Sequence, residues 1–114
     1  MRELEDAVRV GKALADRTRV RILTALAVKD LCVCELTTLV GVGQPAVSRH
    51  LGVLRAAGLV EDVRDGKWVN YRLRHGPRGS VADAVLRSLS RAGAGDADLG
   101  EFRRRAKDVD RRRL

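Results

Sequence analysis

The 114-residue chain carries 23 Lys and Arg against 15 Asp and Glu, with two His, two Cys and three aromatic residues. That length takes one core, and 45% apolar with 33% charged residues excludes a disordered or fibrous chain. A net charge of +8 points to a polyanionic partner, and the short apolar run at 22–28, broken by Thr24, falls far below the roughly 18 residues of a membrane span.

The first residues, Met1-Arg2-Glu3-Leu4-Glu5-Asp6, are too charged for a secretory signal. Two cysteines one residue apart cannot build a disulfide framework, so a cytoplasmic protein with no membrane partner is expected. Leu4, Val8 and Leu14 fall near helical spacing over residues 4–15. Asp16 is placed to cap a second helix whose Val20, Ile22, Leu23, Leu26 and Ala27 form a stripe wide enough to pack on more than one side. Val33, Leu36, Leu39 and Val40 predict a third helix over about 32–40, ended by Gly41-Val42-Gly43. Gln44-Pro45 opens a fourth, with Pro in the first turn and Val47, Leu51 and Leu54 as its apolar seam; Gly58 stops it.

After Gly58 the period changes from 3.6 to 2. Leu59 to Arg64 reads as a strand, Asp65-Gly66 as a tight turn, and Trp68 to Arg74 as the partner strand. Gly76-Pro77-Arg78-Gly79 is a linker, and Ser80 caps a fifth helix using Val81, Val85, Leu86 and Leu89, interrupted at Gly93 to Gly95. The predicted fold is mainly α with a β-hairpin, in the order α-α-α-α-β-β-α. Its expected division is one domain over 1–92 and a basic C-terminal extension over 93–114, helical or solvated. Residues 76–114 hold ten basic and six acidic side chains, half of the net excess, so charge alone does not locate a binding surface.

Two short helices meeting at a Gly-containing turn make a helix-turn-helix, and the hairpin behind them makes it winged. A helix of this kind fits the major groove of duplex DNA, where its N-terminal, outward residues reach base edges. Gln44, Ser48, Arg49, Gly52 and Arg55 form that outward set, His50 lies beside Arg49, and Arg64 and Lys67 stand at the wing tip. The second constellation is Leu31-Cys32-Val33-Cys34-Glu35-Leu36. Both thiols are predicted at the start of a helix, where the dipole favours thiolate, and soft thiolates select Cu(I), Zn(II), Cd(II) or As(III). Residues i and i+2 of an ideal helix point about 200° apart. One ion held by both would therefore distort the first turn of the helix that leads into the DNA-reading one, which gives a route to allosteric release. A redox pair is another outlet for these thiols.

Ala13-Leu14-Ala15-Asp16-Arg17-Thr18-Arg19-Val20-Arg21-Ile22-Leu23, the Cys-Val-Cys block, Gln44-Pro45-Ala46-Val47-Ser48-Arg49-His50-Leu51 and the wing Arg64-Asp65-Gly66-Lys67-Trp68-Val69-Asn70-Tyr71 together resemble the ArsR/SmtB family of winged-helix repressors over roughly residues 4–90. The resemblance implies a homodimer built on the first and fifth helices, bound to double-stranded operator DNA until a metal(loid) effector releases it. The Cys block resembles the arsenite-responsive branch, which implies As(III) or Sb(III) on Cys32 and Cys34, with Cd(II) or Zn(II) as the other candidate ions. A third thiol is common three residues further on; here Thr37 stands there, leaving two protein sulfurs with an external thiol or hydroxide, or a different ion. The family's C-terminal-helix zinc site needs His, and none lies beyond His75; Arg17 replaces the proline usual after the capping aspartate.

The expected DNA contacts are Gln44, Ser48, Arg49 and His50, with Arg64, Lys67 and Tyr71 in the wing. No His or Asp is arranged to serve the thiols, so an enzyme is not expected. The alternatives are a Cd-, Zn- or redox-responsive repressor of the same fold and a constitutive nucleoid or RNA-binding protein, the latter poorly served by three aromatics.

Overall fold

The computed structural model describes residues 2–91 and 97–114. Over them the chain forms α1 (Arg2–Leu14), α2 (Arg17–Leu26), β1 (Leu31–Cys32), α3 (Val33–Val40), α4 (Gln44–Ala56), β2 (Val60–Asp65), β3 (Trp68–Leu73), α5 (Val81–Arg91), α6 (Ala97–Asp108) and a 3-10 turn at Arg111–Arg113. The expected break at Gly93 to Gly95 lies outside the described residues.

Asp16 starts the central helix as expected: its carboxylate accepts the Arg19 backbone N–H at 3.0 Å. Five consecutive residues of α2, Ile22 to Leu26, are buried, because α1, α3, α4, α5 and α6 all lie against that helix. Thr24 is tolerated there since its hydroxyl donates to the Val20 carbonyl at 2.9 Å. The core continues through Leu36, Leu39 and Val40 of α3, the α4 seam of Val47, Leu51 and Leu54, and Leu59, Val60 and Leu86. On α1 the buried residues are Val10 and Ala13, whereas Leu4 and Val8 are 59% and 50% exposed.

Gly41 ends α3 in the left-handed region (φ 73°), its N–H bonded to the Thr37 carbonyl at 3.0 Å, so α4 leaves at once in a new direction. The hairpin pairs Val60 with Leu73 through to Asp65 with Trp68. Its two central turn residues are Gly66 and Lys67, one position later than Asp65-Gly66, with positive φ at Gly66 only. That is the pattern of a type II′ turn.

Two features differ from the sequence expectation. The sheet has three strands in the order β1-β3-β2, because Leu31 pairs with Tyr71 and Cys32 with Asn70. A two-residue strand is too short to leave an alternation in the sequence. The C-terminal stretch is also no solvated tail. Phe102 and Ala106 of α6 are buried in the common core, and the Arg21 guanidinium lies 4.9 Å from the Phe102 ring centre. Lys29 Nζ donates to the Lys107 and Val109 carbonyls at 2.8 Å each, holding the end of α6 against the body.

Ser80 caps α5 as expected, its hydroxyl accepting the Asp83 N–H at 3.2 Å. Asp83, buried, accepts from the Gly79 N–H, Arg87 Nε and His75, which ties the linker to the helix. The Gly79 N–H and then the Arg87 guanidinium hold its carboxyl down at about 2.

Candidate nucleic-acid interface and thiol pair

The apolar seam of α4 turns the opposite side of the helix to solvent. Gln44, Ser48, Arg49, Gly52 and Arg55 are all exposed there. Gln44, Ser48 and Arg49 make no side-chain hydrogen bond or ion pair among the described residues, so their polar atoms are free for an outside partner. Arg55 is paired with Asp62 of β2 at 3.4 Å. A Cβ added at Gly52 meets nothing within 4 Å, so the chain's own packing does not demand glycine; its bareness leaves room in front of the helix. Arg64, Gly66 and Lys67 are exposed at the wing tip, with Lys67 5.4 Å from the Trp68 ring centre.

Two of the expected contacts sit elsewhere. His50 is half-buried and faces α2, with Nδ1 3.3 Å from a terminal nitrogen of Arg19. That guanidinium also donates to the Ala13 carbonyl at 2.7 Å and the Lys12 carbonyl at 3.1 Å. Through Arg19, His50 therefore helps fix the middle of α4 to the end of α1. Tyr71 is half-buried against the core, opposite Leu31 on one side and Asp62 on the other, set back from the wing tip.

The thiol pair departs most from expectation. Cys32 is not helical: it belongs to β1 and is the extended N-cap of α3 (φ −88°, ψ 170°). Only Cys34 lies in the first turn. The 200° divergence of an i, i+2 pair on one helix thus does not apply, and the two Sγ atoms stand 2.9 Å apart. Both sulfurs converge with the helix regular, so a guest need not unwind α3 to reach the second thiol.

Cys32 and Glu35 form a reciprocal capping box, with the Cys32 N–H donating to Glu35 Oε1 at 2.9 Å. Burial pushes the Cys32 thiol up to about 12, assisted by the adjoining Cys34 thiol and outweighing the helix-terminal N–H groups. Cys32 is therefore a neutral thiol at pH 7, against the expected thiolate. Among the described residues no group of three or more His, Cys, Asp and Glu is placed to hold a metal ion.

Further residues at this site escaped the sequence reading. Glu35 was signalled by its capping-box spacing from Cys32. Arg111 was not signalled at all. Its backbone N–H donates to Glu35 Oε2 at 3.1 Å, and its guanidinium donates to Asn70 Oδ1 at 2.9 Å and Asp65 Oδ2 at 3.0 Å.

A family profile described as "Bacterial regulatory protein, arsR family" matches residues 16–62. The chain is 46% identical over 90 residues to the arsenic resistance transcriptional regulator ArsR1 of Pseudomonas putida, covering 78% of this chain and 70% of that protein. It is 48% identical over 67 residues to the arsenical resistance operon repressor of Escherichia coli, covering 58% of this chain and 57% of that one. The homodimeric winged helix-turn-helix DNA-binding domain of a possible ArsR-family regulator from Mycobacterium bovis superposes with a TM-score of 0.64 at 33% identity, over 76% of this chain and 74% of that chain. No helix among the described residues is long and apolar enough to cross a membrane. The free face of α4 in front of a helix-turn-helix, the hairpin beside it and these relatives together make the chain a member of the arsR family of bacterial regulatory proteins: a winged helix-turn-helix transcriptional regulator and not an enzyme.

Proposed function

We propose that the chain is a homodimeric repressor that holds operator DNA through α4 and the wing and releases it when As(III) or Sb(III) is taken up by Cys32 and Cys34. The observation that carries this reading is the 2.9 Å approach of the two sulfurs at the mouth of α3. Two sulfurs bonded to one arsenic stand further apart than that, so loading must move β1, the first turn of α3, or both.

The chemistry favours arsenite over a divalent cation. Arsenous acid, As(OH)3, exchanges two As–O bonds for two As–S bonds, and each thiol proton leaves with a hydroxide as water. The third position keeps its hydroxide or exchanges it for an external thiol, which suits a chain with Thr37 where another sulfur would stand. No net proton is released. Zn(II) or Cd(II) must instead drive off the Cys32 proton, from a group held near 12, and finds no third protein ligand among the described residues. Between pH 6.5 and 8.5 arsenite affinity is expected to stay level. Cd(II) affinity rises with pH by up to about tenfold per unit for each proton displaced. Competition for the thiols at several pH values measures both slopes.

For DNA we assign base-edge contact to Gln44, Ser48 and Arg49, backbone contact to Arg64 and Lys67, and support from behind to His50 and Tyr71. Arg49→Ala is expected to weaken operator binding by about 1–3 kcal/mol and to relax preference at one base pair, whereas Lys67→Ala weakens all duplexes alike and lowers the salt slope. Anisotropy titrations on operator and scrambled duplexes distinguish the two. The dimer is assigned to α1 and α5, which lie together and carry the exposed Leu4, Val8 and Val81. Residues 1–92 carry both of these surfaces.

The decisive test is a gel shift on the upstream promoter with As(III), Sb(III), Cd(II), Zn(II) and peroxide titrated separately. Release by the first two alone supports the reading; release by Cd(II), Zn(II) or peroxide alone overturns it.

A further inference from the structure

The 3-10 turn at Arg111–Arg113 lies between the thiol pair and the wing, and one side chain spans them. The Arg111 guanidinium reaches Asn70, the residue paired with Cys32 across β1 and β3. It donates to Asn70 Oδ1 at 2.9 Å and to Asp65 Oδ2 at 3.0 Å, and its centre lies 4.6 Å from the Trp68 ring centre. Asp65 and Trp68 are the pair that closes the wing turn, so this contact reaches the root of the turn bearing Lys67, next to Arg64. The Arg111 backbone N–H meanwhile donates to Glu35 Oε2, on the carboxylate that caps α3 beside Cys32. The side chain is only 19% exposed, and the turn is anchored from behind by Phe102, Ala106 and Lys29.

We propose that Arg111 is the relay between the thiol pair and the DNA-binding wing: it clasps the wing in its DNA-reading position while the thiols are unoccupied, and a guest on Cys32 displaces it. This rests on the effector reading above and adds the path by which the effector acts. Arg111 is held by Asn70, which pairs with Cys32, and by Glu35, which caps the Cys32 N–H. The movement of Cys32 that loading requires disturbs both holds, so the loaded and clasped states exclude one another. That exclusion is the differential affinity an allosteric switch requires. The sign is also set by charge. While clasped, Arg111 neutralises Asp65 at the wing. When displaced, it leaves a bare carboxylate next to Lys67, facing the phosphates that the wing approaches. Both the lost clasp and the uncovered anion weaken DNA binding, with α3 still intact.

Trp68 is the chain's one tryptophan and reports the clasp directly. The experiment titrates arsenite into the full-length protein, with and without operator, following Trp68 emission, thiol count and DNA affinity. In the wild type, emission shifts with the midpoint at which operator is released. In Arg111→Met, two thiols still disappear on arsenite addition. Trp68 starts at the loaded position and does not move, and the ratio of operator affinities without and with arsenite falls from about 5- to 150-fold to near one. Asp65→Asn, which keeps an oxygen acceptor for Arg111 but removes the charge, retains more operator affinity in the loaded state because no carboxylate is uncovered. An arsenite-driven Trp68 shift and operator release in Arg111→Met equal to wild type would overturn the relay, as would wild-type affinity loss on loading in Asp65→Asn. If the wild type takes up no arsenite, the effector reading falls on its own. The relay is then judged by capping the thiols with methyl methanethiosulfonate: a Trp68 shift in wild type but not in Arg111→Met supports it, and a silent Trp68 in the wild type rejects it.

Discussion

On the proposed function, a chain carrying Cys32→Ser and Cys34→Ser is expected to stay on its operator at arsenite concentrations that strip the wild type from it. Serine offers arsenite an As–O bond of the kind it already has in water, so exchange brings no gain. The coupling between effector and DNA, typically about 5- to 150-fold, therefore falls to one. The fold survives the change. Ser at the N-cap of α3, three residues before Glu35, is the standard capping-box pair, and its hydroxyl takes the place of a sulfur that capped only weakly. Operator affinity without arsenite is accordingly unchanged. Anisotropy with a labelled operator, with and without arsenite, checks both halves at once, and release of the double variant by arsenite removes the sensing assignment.

Phe102→Ala is expected to lower stability by about 3–5 kcal/mol, the range for truncating a buried Phe. A phenylalanine on a solvated tail would show almost no effect. Here the ring is 7% exposed and faces Arg21 of the central helix, so truncation removes both its burial and that stacking. Against a total stability of about 5–15 kcal/mol for a domain of this kind, the loss is large. Arg104→Ala, on the exposed side of the same helix, is the control and should stay within about 0.5 kcal/mol of wild type. Urea unfolding of the three proteins measures the difference.

Much of this architecture is legible in the residues themselves. Asp16 caps where a capping aspartate should, Pro45 opens α4, and the spacing of Val47, Leu51 and Leu54 orients the helix so that Gln44, Ser48 and Arg49 face outward. Local pattern suffices for these because the forces involved act over one or two turns. The thiol pair departs from its sequence expectation by a single residue. With the helix beginning at Val33 and not at Cys32, the rotation of about 100° per residue no longer separates the sulfurs, and only the pairing of Cys32 with Asn70 decides that boundary. Phe102 and Ala106 sit among so many charges that their spacing does not stand out as an apolar face. Arg111 meets Asn70, Asp65 and Glu35 across 41, 46 and 76 residues of chain, a convergence that no window of sequence contains.

The Arg19 side chain, bonded at once to the end of α1 and to His50 of α4, has a consequence for the DNA sequences the protein can use. In a two-fold assembly joined through α1, the gap between the two reading helices is set by how each is braced to the symmetry axis. A guanidinium fork is a stiff brace with little slack. The proposed dimer then acts as a ruler of fixed length, and inverted repeats whose arms are a base pair too close or too far fall outside its reach.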